Sequence, residues 1–66
     1  MLEQFLRREK VEELTGLSRS AIYAGMQSGR FPKTIRIGKA AVAWRASDIA
    51  AWQTARIAEA HGKPGN

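Results

Sequence analysis

Residues 8–28 read REKVEELTGLSRSAIYAGMQS, two helix-length segments divided by Gly16-Leu17-Ser18. In the first, about Arg8 to Thr15, Val11 and Leu14 stand three apart as a short apolar stripe. Gly16 supplies the left-handed stop that helices favour just past their last turn. Ser18 is a strong N-cap, because its hydroxyl can accept an orphan backbone N–H of the next helix. That second helix is predicted over Arg19 to Ser28 and stopped by Gly29. Ile22 and Met26 form its inward stripe, with Ser18 and Gly25 beside them. Ser20, Tyr23, Ala24 and Gln27 fall on the outward arc, and Arg19 lies at its border. Two helices of this length, joined by three residues that include a glycine, form a helix-turn-helix arrangement.

Beyond Arg30-Phe31-Pro32 the period changes from 3.6 to 2. Ile35 and Ile37 alternate with Thr34 and Arg36, and Val42 and Trp44 with Ala43 and Arg45. With Gly38-Lys39-Ala40-Ala41 as the connecting loop, this predicts a β-hairpin that has one apolar and one cationic face. Ser47 then caps a third helix from Asp48 to about Ala60, in which Ile49 and Trp52 face inward and Asp48 suits the positive helix end. Gly62, Pro64 and Gly65 close the pattern. The expectation is one domain over residues 1–60 and a flexible tail over 61–66.

The chain has 66 residues, 11 Lys plus Arg, 6 Asp plus Glu, no cysteine and a net charge of +5. One thin core is all that this length allows. Without cysteine there is no disulfide and no thiolate zinc site, and a single histidine, His61, cannot build one. No apolar run approaches a signal peptide or a membrane span, so a cytoplasmic protein, associated with the nucleoid of a bacterial or phage-infected cell, is expected. The placement of the charge is more telling than its total. Residues 1–13 carry a net −1 and residues 48–66 a net zero. Residues 14–47 carry Arg19, Arg30, Lys33, Arg36, Lys39 and Arg45 with no acid at all. A solvated surface normally mixes both signs, so this segment favours a polyanionic partner over mere solubility. Membrane-surface binding would gather the cations on one amphipathic helix, whereas here they are spread over several elements.

Helix, turn, helix, basic hairpin, helix is the layout of a winged helix-turn-helix, mainly α with a small β-hairpin. A helix from Arg19 to Ser28 is about 15 Å long and can lie in a major groove about 12 Å wide. Its N-terminal end would aim Ser18, Arg19 and Ser20 at the duplex. Arg19 is the leading candidate for base reading through guanine O6 and N7, with Gln27 a weaker one for adenine. Tyr23 would give its hydroxyl to a phosphate, or else pack under the wing. On the wing, Arg36, Lys39 and Arg45 would meet the backbone or an adjacent minor groove.

Several runs occur together: Leu6-Arg7-Arg8, Leu14-Thr15-Gly16-Leu17-Ser18, Ser20-Ala21-Ile22-Tyr23 and Gly29-Arg30-Phe31-Pro32. Ile37-Gly38, Val42-Ala43-Trp44-Arg45, Ser47-Asp48-Ile49 and Trp52 complete the set. Over roughly residues 4–58 the chain resembles the AlpA-type regulators, small phage- and prophage-associated DNA-binding proteins similar to excisionases and to the DNA-binding part of MerR-type regulators. The resemblance implies a winged fold and a transcriptional regulator, or an excisionase that directs site-specific recombination. Two departures stand out. Ala24-Gly25 follows Tyr23 where such proteins often carry a basic residue, and Lys39 is alone at the wing tip. Glu12, four places before the turn glycine, replaces the small residue of the repressor kind and points to the winged variety.

Other readings are weaker. Trp44 and Trp52 are expected as core fillers whose indole N–H groups reach a carbonyl or water, not as stacking platforms. Phe31-Pro32 is expected as a rigid corner. Glu12 and Glu13, adjacent on a helix, do not face each other as a catalytic pair. No nucleophile–base–orienter set can be assembled, so no enzyme, cofactor or metal is expected. The partner expected is double-stranded DNA. A module of this size buries only about 600–1,000 Å² on it, so further copies on tandem sites, an integrase or the transcription machinery would assist. The rival in a different class is a protein-interaction adaptor or antirepressor.

Overall fold

A computed structural model describes residues 2–62 of the chain. The elements in order are β1 (Phe5–Leu6), α1 (Arg8–Thr15), α2 (Arg19–Ser28), β2 (Ile35–Arg36), β3 (Val42–Arg45) and α3 (Ala46–Gly62). The result is a mainly helical domain with a small antiparallel sheet of three strands in the order β1-β3-β2.

The turn chemistry around α1 and α2 forms as its residues dictate. Gly16 and Gly29 are the only described residues at positive φ, 74° and 82°, and their N–H groups return to the carbonyls of Glu12 and Gly25. The Ser18 hydroxyl accepts the Ala21 N–H at 3.2 Å, the expected cap of α2. The Thr15 hydroxyl donates to the Val11 carbonyl and accepts the Leu17 N–H, which tightens the turn further.

Leu6, Val11, Ile22, Phe31, Trp44 and Ile49 form the buried core, with Leu17, Met26, Ala46 and Trp52 packed against it. Phe31 is its hub. Its ring meets Trp44 edge-on at 6.3 Å and Trp52 at 5.1 Å, the geometry that ring quadrupoles favour. Both indoles are satisfied as expected, Trp44 Nε1–H by the Pro32 carbonyl at 2.8 Å and Trp52 Nε1–H by the Arg30 carbonyl at 3.2 Å. The corner is therefore part of the core as well as a bend. Gly25 finds its reason here. A Cβ on it would lie 2.8 Å from Phe31 Cβ, so the glycine lets the corner fold back onto α2.

Five expectations are corrected. The sheet has a third strand, β1, which pairs Phe5 with Arg45 and Leu6 with Trp44; two residues are too few to display a period. The hairpin lacks one apolar and one cationic face. Arg36 pairs with Val42 and Ile35 with Ala43, so Arg36 shares a face with Trp44 while Arg45 lies on the other. Ala43 and Trp44 are both buried despite being neighbours, because helices and β1 enclose β3 from more than one side. Leu14 is 43% exposed, leaving Val11 as the one buried residue of α1.

The last two corrections concern α3. It begins at Ala46, directly out of β3, so Ser47 sits inside the first turn and is not the cap. The N-terminal segment supplies the acceptors instead. Ala46 N–H donates to the Gln4 carbonyl at 2.8 Å, and the Ser47 N–H and hydroxyl donate to the Glu3 carboxylate at 3.1 and 2.7 Å. At its other end α3 continues through His61 and Gly62, past the expected stop at Ala60. The remainder of the expected tail, residues 63–66, lies outside the described residues. No helix among the described residues is long and apolar enough to cross a membrane.

Candidate nucleic-acid interface

Helix α2 presents two different flanks beside its buried Ile22. Arg19, Ser20, Tyr23 and Gln27 recur at helical spacing on one side, and all four are exposed. Ala21, Ala24, Gly25 and Ser28 recur on the other and carry only small side chains. The polar flank is the one that sequence reasoning selected. The Arg19 guanidinium lies over the Tyr23 ring, 5.8 Å from its centroid, a cation–π contact that holds both side chains on the same stretch of surface. Tyr23 is 41% exposed. Its hydroxyl adds a small contribution to the raised pKa of Arg8, after the dominant hydrogen bond from Arg8 to Glu12. Tyr23 thus stands between Arg19 and the start of α1. Ser18 is exposed, but its hydroxyl is committed to capping α2.

On the sheet side, Arg36 and Lys39 are exposed, in β2 and in the β2–β3 loop. That loop is closed by the Ile37 and Gly38 N–H groups, both donating to the Ala41 carbonyl. Arg45 behaves differently. Its guanidinium grips Asp48 with two parallel bonds of 3.0 and 2.9 Å. The Asp48 hydrogen bond, followed by the Asp48 charge, raises its pKa.

Pairing divides the charges of the chain sharply. Every acid is engaged: Glu9 and Glu12 with Arg8, Glu13 with Lys10, Asp48 with Arg45, Glu59 with Arg56, and Glu3 with Ser47. Among the described residues Arg7, Arg19, Arg30, Lys33, Arg36 and Lys39 have no acidic partner. Of these, sequence reasoning singled out Arg19, Arg36 and Lys39 as candidate contacts and did not single out Arg7, Arg30 or Lys33. For Arg30 and Lys33 the signal was available, since neither has an acid three or four places away. Arg7 has Glu3 four places before it, and only the structure shows that Glu3 turns to Ser47 instead. Among the described residues no group of three His, Asp or Glu side chains converges as metal ligands would.

Comparison with known proteins gives two findings. Residues 4–57 match the family model of the Prophage CP4-57 regulatory protein (AlpA). The chain is also 46% identical, over 56 residues, to "Uncharacterized protein ORF88" of Enterobacteria phage P4. That match covers 85% of this chain and 64% of the phage protein, so the chain spans a little under two thirds of that relative's length.

Proposed function

The chain belongs to the AlpA family of prophage regulatory proteins, and from that premise we propose that it is a sequence-specific binder of double-stranded DNA that regulates transcription. In this reading α1 and α2 are a helix-turn-helix, β2 and β3 are its wing, and the protein works in the cytoplasm on the nucleoid. The observation that carries it is the charge pairing. Each carboxylate has a partner within the chain, and six cations are left without one: Arg7 at the start of α1, Arg19 on α2, Arg30 and Lys33 at the corner, and Arg36 and Lys39 on the hairpin. Such a surplus is the electrostatic footprint of phosphate binding.

Within this reading Arg19 and Gln27 meet base edges in the major groove. Tyr23, Ser20 and the backbone at Ser18 meet phosphate. Arg36 and Lys39 grip the backbone or the adjacent minor groove. Arg45 has the weakest part, because a contact to phosphate would draw it away from Asp48.

Selection from random duplexes, followed by titration of the enriched sequence at several salt concentrations, tests the proposal. With about 4–6 phosphates contacted, log affinity falls with log salt at a slope near −4 to −5. Arg19→Ala costs about 1–3 kcal/mol and relaxes preference at one base pair. Failure to enrich any motif, or a flat salt response, overturns the reading.

A further inference from the structure

The small-residue flank of α2 does not close against α3. Between the two helices runs an open groove of about 500 Å³, walled by Ala21, Ala24, Gly25 and Ser28 on one side and floored by Phe31 and Trp52. It continues past Trp52 into a second hollow of about 430 Å³ beside Leu14, Gln53 and Ile57. Leu14 and Ile57 are 43% and 60% exposed. Together with Phe31 and Trp52 they make one apolar strip along α3, apart from the other exposed apolar side chains Leu2, Phe5, Tyr23, Ile37 and Val42, none of which lines either hollow.

The cations say what fits. Arg30 and Arg56 both line the groove and are both exposed. Arg30 has no acidic partner among the described residues, and its carbonyl is fixed by the Trp52 indole. Arg56 lies over the Trp52 ring at 5.8 Å and shares its charge with Glu59. No acid lines this groove. Its wall repeats at i, i+3, i+4 and i+7 over two helical turns, with side chains small enough to admit a neighbouring backbone. An apolar floor two turns long under a cationic rim is complementary to an amphipathic helix with apolar anchors and flanking carboxylates.

We propose that the α2–α3 groove docks an acidic amphipathic helix of a partner protein. Arg19, Tyr23 and Gln27 take no part in its lining, so the polar flank stays free while the groove is filled. One short helix would then serve two partners on opposite flanks, and the proposal does not depend on the DNA reading.

The test uses two synthetic amphipathic peptides of about three turns, identical in their leucine anchors and flanked by glutamate in one and by lysine in the other. Each is titrated into the isotope-labelled chain without DNA. The glutamate peptide shifts the Trp52 indole N–H and the amides of Ala21, Ala24 and Ser28, and binds at least about tenfold tighter than the lysine peptide. Arg30→Glu with Arg56→Glu, both at exposed positions, reverses that preference. Ala21→Gln, also exposed and uncharged, narrows the groove and weakens the glutamate peptide. Equal binding of the two peptides overturns the proposal, as do shifts confined to other surfaces. Concentration-dependent shifts at the same residues without peptide would give the groove to a second copy of this chain instead. Displacement of the peptide by a generic duplex would return the groove to the nucleic-acid face.

Discussion

The acid-free segment 14–47 and the two ends that frame it carry charge in opposite ways. In the frame every carboxylate is taken: Glu12, Glu13 and Glu59 by a cation three or four places along the same helix, Glu9 by its neighbour Arg8, Asp48 by Arg45, and Glu3 by Ser47 from across the chain. In the segment five of the six cations have no acid, and Arg45 alone is drawn into the frame by Asp48. Surface pairs of this sort contribute little to stability. Their consequence is to decide which charges remain for a partner. Net charge alone would count Arg45 equally with Lys39, whereas pairing separates them.

The largest effect is expected where segment and frame are joined. Phe31 comes from the segment, and its ring packs on Trp52 of the frame. Phe31→Ala should cost about 3–5 kcal/mol, enough in so small a domain to unfold both parts together. Far-ultraviolet circular dichroism and tryptophan fluorescence should lose their transitions in parallel. A helical signal that survives while the fluorescence transition vanishes would show that the two regions are separable.

A smaller effect separates the two cations of the hairpin. Lys39→Ala should reduce the salt slope of duplex binding by about 1, and Arg45→Ala should leave it nearly unchanged. If both lower the slope equally, the Asp48 pair does not withdraw Arg45 and the contrast between the regions fails.

The smallest effect concerns a long-range link between frame and segment. The Ser47 hydroxyl holds the Glu3 carboxyl below its ordinary value of 4.5, with the Ser47 N–H adding to it. A carboxyl whose pKa falls on folding contributes stability in full above its unfolded value and loses it as pH drops through the folded one. Thermal melts should therefore show stability declining below about pH 4.5, and Glu3→Gln should flatten that part of the profile. An identical acid limb in Glu3→Gln would show that the link has no bearing on stability.

Much of the segment was legible because its signals are local. Gly16, Ser18 and Gly29 act within one turn of themselves, and Ile22 and Met26 need only helical spacing to define an inward stripe. The frame was less legible. β1 is two residues long, and its partner lies some forty residues away. The start of α3 depends on acceptors from Gln4 and Glu3, which no local window contains. The mixed faces of the hairpin follow from register, and alternation within each strand does not fix how the strands are paired.

The sequence by itself determined two helices and their turn, a cationic middle without acids, and a polar arc on α2 carrying Arg19, Tyr23 and Gln27. Backbone sterics, capping and helical spacing act over a few residues, and a count of charges needs no coordinates. Tertiary structure alone decided that Phe31 is the hub, that Gly25 makes room for it, and that Arg45 belongs to Asp48. It also decided that the other flank of α2 opens as a groove against Trp52. Each depends on the distance between residues far apart in the chain, which packing sets and local preference does not.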